Sequence, residues 1–288
     1  MANVLITGTS SGIGLATALA FARMGHTVAA TMRHPDRGAA LAITAAAEHL
    51  PITVFAMDVD QDESVREGVA RVAAAIGPID VLVNNAGTER TGSVEELALP
   101  DFRAVMETNY FGALRAIQAV LPAMRERRTG CIVNVSSISG RFAVSPFAAY
   151  SSSKFALEAL SECLAQEVKP FGIRVRVIEP GIIDTRMSRS IGEPKSDSPY
   201  PQQRRNAKLF AAVLQQPVPP SLVADAVVSC AEADSWQLRY LVGPDAAPFL
   251  GWRQGMSDEQ WVEFGALDDA AWVARIKADF GIDLTPAE

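Results

Sequence analysis

Val4-Leu5-Ile6-Thr7-Gly8-Thr9-Ser10-Ser11-Gly12-Ile13-Gly14 decides the fold of this chain. A short apolar run enters a turn with three glycines, and a helical pattern over 14–24 leaves it. A glycine-rich turn between strand and helix lets backbone N–H groups approach a pyrophosphate. The positive end of the helix dipole attracts the same phosphates. The spacing is Gly-x-x-x-Gly-x-Gly, not Gly-x-Gly-x-x-Gly. Gly8, Ser10, Ser11, Gly12, Ile13 and Gly14 are expected to hold the phosphates of a dinucleotide.

The rest of the chain repeats this alternation. Short β-branched runs at 4–6, 27–32, 53–57, 81–83, 131–135, 174–178 and 239–242 predict strands. Ala-rich segments between them, such as 14–24, 63–76, 102–125 and 155–168, carry helical periodicity. Alternation of this kind predicts βαβ units and a parallel sheet covered by helices on both faces. Residues 188–220 break the rhythm with Pro, Ser, Gln and charge, and read as an insertion. A substrate lid over 187–220 is expected, since long irregular segments often cover sites. From Asp245 onward, Trp252, Trp261, Trp272 and three phenylalanines lie among acidic residues. This extension, 245–288, reads as one or two amphipathic helices, serving either packing or the wall of a substrate pocket.

Composition narrows the function. The chain has 288 residues, 49% hydrophobic and 20% charged, as in an ordinary globular protein. Its net charge of −7 argues against a nucleic-acid binder. No apolar run is long enough to span a membrane. No basic segment precedes the first strand, so no signal peptide is expected. Cys131, Cys163 and Cys230 are scattered and read as free thiols of a cytoplasmic protein. His26, His34 and His49 show no metal-ligand spacing, and no metal is expected.

Downstream of the glycine turn, other strand ends carry candidate contacts. The second strand ends at Thr31-Met32-Arg33, with no acid to accept a ribose 2′-hydroxyl. Arg33 can instead pair with a 2′-phosphate, which favours NADP(H) over NAD(H); a solvated charge at a strand end is the alternative. Asp58 and Val59 follow the third strand, where the adenine would lie, although Asp58 can equally cap the next turn. Asn85, Ala86 and Gly87 follow the fourth strand and suit close approach to a ribose, or form a structural turn. Tyr150 and Lys154 stand four residues apart, on one face if helical. A cation beside a phenol stabilises the phenolate and makes it a usable acid–base near neutral pH. Ser137 supplies a neutral hydroxyl for a substrate oxygen. Phe142, Val144 and Phe147 line an apolar pocket or belong to the core.

These motifs, in this order, resemble the short-chain dehydrogenase/reductase family. The resemblance rests on Thr7 to Gly14, Asn84 to Gly87, Asn109, Ser137, Tyr150 with Lys154, and Pro180-Gly181, and covers residues 3 to 187 strongly. Tyr150 to Glu158 and Ile178 to Gly181 look like the 17β-hydroxysteroid and retinol dehydrogenase branch. The family implies one Rossmann-type, doubly wound domain over 1–288 with a seven-stranded sheet. It implies Tyr150 as acid–base, Lys154 lowering its pKa and holding the nicotinamide ribose, and Ser137 polarising the carbonyl. Strand alternation turns Ser136 away from Ser137. Asn109 is implied to anchor a water in a proton relay; alternatively it only distorts its helix. Pro180, Gly181 and Ile183 are implied to touch the nicotinamide, with Thr185 reaching its carboxamide or the pyrophosphate. The implied activity is NADP(H)-dependent interconversion of a carbonyl and an alcohol on a lipophilic small molecule, in a homodimer or homotetramer. A non-catalytic cofactor sensor or scaffold, and a sugar-nucleotide epimerase or dehydratase, are the alternatives.

Overall fold

The computed structural model describes residues 1–191 and 198–284. Seven parallel strands form one sheet in the order β3-β2-β1-β4-β5-β6-β7. They are β1 (Asn3–Thr7), β2 (Thr27–Met32), β3 (Ile52–Ala56), β4 (Val81–Asn84), β5 (Gly130–Val135), β6 (Ile173–Pro180) and β7 (Arg239–Val242). Each expected strand is present. The order reverses between β1 and β4, where the two strands pair at Val4–Val81, Leu5–Leu82 and Ile6–Val83. Crossovers then run away from this line in both directions. The chain at the carboxyl ends of β1 and β4 therefore splays apart and leaves a crevice.

The period of two along the strands sorts the core into two layers. Val4, Ile6, Val28, Ala30, Val81, Val83 and Val133 face one cluster. Leu5, Ala29, Leu82 and Ile132 face the other. The first layer is covered by α1 (Gly12–Arg23), α2 (Ala39–Ala47) and α9 (Pro220–Glu232), and the second by α3 (Asp62–Ile76), α5 (Gly112–Arg127) and α6 (Ala148–Val168). β5 is buried along its whole length, as expected of a strand covered on both faces.

Three expectations need correction. The helix expected over 102–125 is two helices, α4 (Leu99–Met106) and α5, joined by a wide π-helical turn at Glu107–Phe111. The described residues of the insertion include two helices, α7 (Arg186–Ile191) and α8 (Gln202–Val213). Proline, glutamine and charge in this stretch hid a periodicity that tertiary contacts impose. Residues 192–197 of the expected lid lie outside the described residues. The tail is three helices, α10 (Ala246–Gln254), α11 (Asp258–Ala266) and α12 (Asp269–Phe280). Capping breaks them apart: Ser257 and Gln260 form a reciprocal capping box for α11, and the Asp268 side chain accepts from Ala271 N to start α12.

Candidate active site

At the crevice, the glycine turn is locked onto the loop after β4. The Thr7 hydroxyl accepts from the backbone N–H of Asn85 and of Ala86, each at 3.0 Å. Asn85 Nδ2 donates to Thr7 O at 2.9 Å and Gly8 O at 3.0 Å. Gly8 has φ +72°, and a Cβ there would lie 2.7 Å from Ala86 Cα. A Cβ on Gly14 would lie 2.3 Å from both Asn85 Nδ2 and Gly8 O. The glycines are thus demanded by packing between the two loops. Ser11 makes no side-chain cap to α1, which leaves first-turn N–H groups of this helix open to an anion.

Gly8, Ser10 to Gly14, Arg33, Asp58, Val59, Asn85 to Gly87, Ser137, Tyr150, Lys154, Pro180, Gly181, Ile183 and Thr185 all line one cleft of about 1010 Å³. Asn109 alone among the expected site residues stands behind the lining. Arg33 is 58% exposed and, among the described residues, holds only a long contact to Asp60 Oδ2 at 3.8 Å. Its guanidinium remains open to a phosphate. Asp58 behaves as a turn cap: Oδ1 accepts from Asp60 N at 3.2 Å, and Asp58 N donates to Ser64 Oγ at 2.9 Å.

Tyr150 and Lys154 lie on α6, which starts earlier than the periodicity suggested, so the pair shares one helical face. Lys154 Nζ is 5.6 Å from the Tyr150 ring centroid and donates to Val135 O at 2.8 Å. Ser137 follows β5; its Oγ accepts from Ser139 N at 3.1 Å, and it lines the same cleft as Tyr150. Ser136 turns the other way, with its buried Oγ beneath Gly140 near Glu158. Burial pushes the Tyr150 phenol up to about 12, the Ser137 hydroxyl opposes this, and the charge of Glu89 adds to it. The expected depression of this phenol by Lys154 is therefore not what the cleft alone produces. Burial also lowers the Lys154 ammonium to about 8, opposed by the carboxylate of Glu158 one turn on. Glu158 is itself paired with Arg239 at 2.9 Å.

Asn109 sits, buried, in the π-helical turn. Its Oδ1 accepts from Thr88 N at 2.8 Å, and its Nδ2 donates to Thr88 O and Ser153 Oγ, both at 2.9 Å. It lies where the helix is distorted, and it also ties the loop after Gly87 to the residue before Lys154. Phe142 and Phe147 are buried and also line the cleft, with Val144 beside them. Pocket wall and core are here the same residues.

Sequence reasoning missed Asp245. Its Oδ2 accepts from Ile182 N at 2.7 Å, and a Cβ on Gly181 would meet its Oδ1 at 2.2 Å. The Asp245 carboxyl is raised by burial, opposed by the Ile182 N–H. It pins the Pro180–Ile183 loop from the far side of β7; only its place just after a strand marked it. No cluster of metal-ligating side chains occurs among the described residues.

Comparison with known proteins agrees with this geometry. Residues 2–196 match the short chain dehydrogenase family model. Oxidoreductase BOA17 of Botryotinia fuckeliana is 37% identical over 267 residues, 90% of this chain and 96% of that protein. Retinol dehydrogenase 8 of Bos taurus is 42% identical over 203 residues, 69% of this chain and 64% of that protein. The crystal structure of a single-residue variant of actinorhodin polyketide ketoreductase with NADPH superposes with a TM-score of 0.76 at 29% identity, covering 85% of this chain and 97% of that one.

Proposed function

The chain belongs to the short-chain dehydrogenase/reductase family and is an oxidoreductase of that family, and from this premise we propose an NADP(H)-dependent interconversion of a lipophilic ketone and its alcohol. The observation that carries the proposal is one cleft lined by the open glycine turn, Arg33, and the Ser137–Tyr150–Lys154 group. The residues fit a dinucleotide: the turn presents backbone N–H groups, and Arg33, held only by its long contact to Asp60 among the described residues, is available to a 2′-phosphate. That a related ketoreductase is seen with NADPH supports the same cofactor here.

A bound nicotinamide supplies the hydride for the carbonyl carbon. Ser137 and Tyr150 donate hydrogen bonds to the carbonyl oxygen as negative charge grows there. Tyr150 then gives its proton to that oxygen. Lys154, with its ammonium near 8, holds a proton at neutral pH and stabilises the phenolate left behind. Pro180, Gly181 and Ile183 form the wall for the nicotinamide, held by Asp245. Asn109 positions the segment bearing Lys154, and a water held near it belongs to the proposed proton relay. Of the expected lid and extension, the described residues 187–191 and 198–220 act as the lid and 245–284 as part of the pocket wall.

Two experiments test this. Tyr150→Phe is expected to reduce ketone turnover by roughly a thousandfold, within the range of general acid catalysis, with NADPH affinity nearly unchanged. Turnover within a few-fold of wild type removes Tyr150 from the chemistry. In fluorescence titration, Arg33→Ala is expected to weaken NADPH roughly tenfold, as a lost charge-assisted pair does, and to leave NADH unaffected. Equal losses for both nucleotides mean that Arg33 reads no 2′-phosphate.

The proposal includes a homodimer or homotetramer through the helical segments over 102–125 and 150–168, where Phe111 and Phe155 are exposed at 41% and 43%. Sedimentation velocity distinguishes these states from a monomer. No helix among the described residues is long and apolar enough to cross a membrane. A cytoplasmic location is proposed from the free thiols Cys131, Cys163 and Cys230.

A further inference from the structure

The lid helix α8 presents a graded stripe to the cleft. Gln202, Arg205, Asn206, Leu209 and Phe210 all line it. Their spacing of i, i+3, i+4, i+7 and i+8 is one helical face. The apolar end lies near the catalytic tyrosine: Phe210 packs on Phe147 with ring centroids 5.7 Å apart. Asn206 fixes the middle of the stripe by donating to Ser145 O at 2.8 Å. The polar end lies about 12 Å from Phe210 along the axis, at 1.5 Å per residue.

Two atoms at that polar end are buried and unpartnered, Arg205 Nη1 and Gln202 Oε1. Arg205 is only 5% exposed. Its other nitrogens are occupied: Nε donates to Asp269 Oδ1 and Nη2 to Leu267 O, both at 2.7 Å. Gln202 Nε2 donates to Gly265 O at 3.1 Å, which leaves the amide oxygen as the free acceptor. A buried donor and a buried acceptor left without partners are costly unless something meets them. The Arg205 charge is already balanced by Asp269. A carboxylate would bring a second negative charge and face the Gln202 carbonyl oxygen. A neutral group that both accepts and donates matches the chemistry of this donor and this acceptor.

We propose that this pole of the cleft binds a neutral hydroxyl or primary carboxamide carried by the substrate, remote from the reacting carbonyl. The group accepts from Arg205 Nη1 and donates to Gln202 Oε1, while the apolar remainder lies along Leu209 and Phe210. The substrate class becomes an elongated, amphipathic ketone or alcohol with a distal oxygen function. This rests on the proposed oxidoreductase reading for the placement of the reacting end; the pole itself rests on α8.

The test uses the full-length protein with NADPH and unbranched methyl ketones of graded chain length, each with and without a terminal hydroxyl. Binding is read by calorimetry and turnover by NADPH consumption. At one optimal length, the hydroxylated ketone is expected to bind about tenfold more tightly and to show a similar gain in kcat/KM, the size of a hydrogen bond to a charged donor. Gln202→Leu and Arg205→Met should each bring that ratio close to one. Gln202→Leu leaves the Arg205 anchor intact, so it remains informative if Arg205→Met fails to fold. Equal binding of the paired ketones by wild type, or binding of neither, overturns the pole. Tighter binding of a terminal carboxylate than of the hydroxyl overturns the donor–acceptor pairing. Selective binding of hydroxylated ketones without turnover keeps the pole and overturns the ketone–alcohol reading of the reacting end.

Discussion

Lys154 shows how one buried charge links the site to stability. Its folded-state pKa is lowered from the ordinary 10.5 to about 8 by burial. Between those values the unfolded chain holds the proton and the native state does not. Stability therefore rises with pH across that window, and below it the native state bears the full cost of a buried ammonium. Tyr150 has the opposite sign at higher pH. Its phenol is raised to about 12, so the native state keeps a proton that the unfolded chain loses. The melting temperature of wild type, followed from pH 8 to pH 10, should climb relative to Lys154→Met. Parallel curves would mean that the ammonium is not desolvated. Ser137, Tyr150 and Lys154 were legible in the sequence because acid–base work limits the residue types and helical spacing limits their placement. Asp245 was not legible. Its partner, Ile182 N, lies 63 residues away, and nothing local in Gly243-Pro244-Asp245 announces that contact.

Among the elements, the strands were readable and the connections less so. Strand alternation is imposed by burial on two faces, and it survives in sequence as β-branched runs. The π-helical turn at Glu107–Phe111 left no such trace, because a single wide turn does not alter the apolar pattern around it. Its effect is to let Asn109 bracket Thr88 with both ends of its amide. Asn109→Ala leaves the Thr88 N–H and carbonyl without these partners, and is expected to cost about 1–3 kcal/mol in denaturant unfolding. Asn109→Asp should do little better. A carboxylate accepts from Thr88 N but cannot donate to Thr88 O or to Ser153 Oγ. Full stability in Asn109→Ala would show that the loop after β4 is held by the Thr7–Asn85 lock alone. Arg176 illustrates the same dependence on distant partners in β6. It is fully buried, yet carbonyls of Cys230 and Gln237 accept from it at 3.1 and 2.9 Å. That cage forms only once α9 and β7 have docked.

At the scale of the whole molecule, the part of the cleft assigned to the phosphates and adenosine of the cofactor and the aromatic substrate wall come from different parts of the chain. The glycine turn, Arg33 and the loop after β4 all precede residue 90, whereas the aromatic wall comes from α8 and the tail. Trp261 ties the tail to the segment that precedes Tyr150. It stacks on Phe264 with centroids 5.6 Å apart, meets Phe142 edge-on at 6.1 Å, and donates from Nε1 to Ala143 O at 3.2 Å. Ala143 precedes Tyr150 on the segment that shapes the pocket. Trp261 is half-buried, so Trp261→Ala should cost about 2 kcal/mol, less than the 3–5 kcal/mol of a fully buried tryptophan. Its larger effect should fall on substrate. With the wall retracted, KM for a bulky ketone is expected to rise roughly tenfold, while NADPH affinity stays within a factor of about two, because uniform binding is lost without touching the chemistry. The division of labour predicts that split. If NADPH affinity fell in step with ketone affinity, the tail would be supporting the whole cleft rather than one side of it. Replacing Trp261 with Phe, which keeps the stacking but not the bond to Ala143 O, would then show whether packing or that hydrogen bond carries the support.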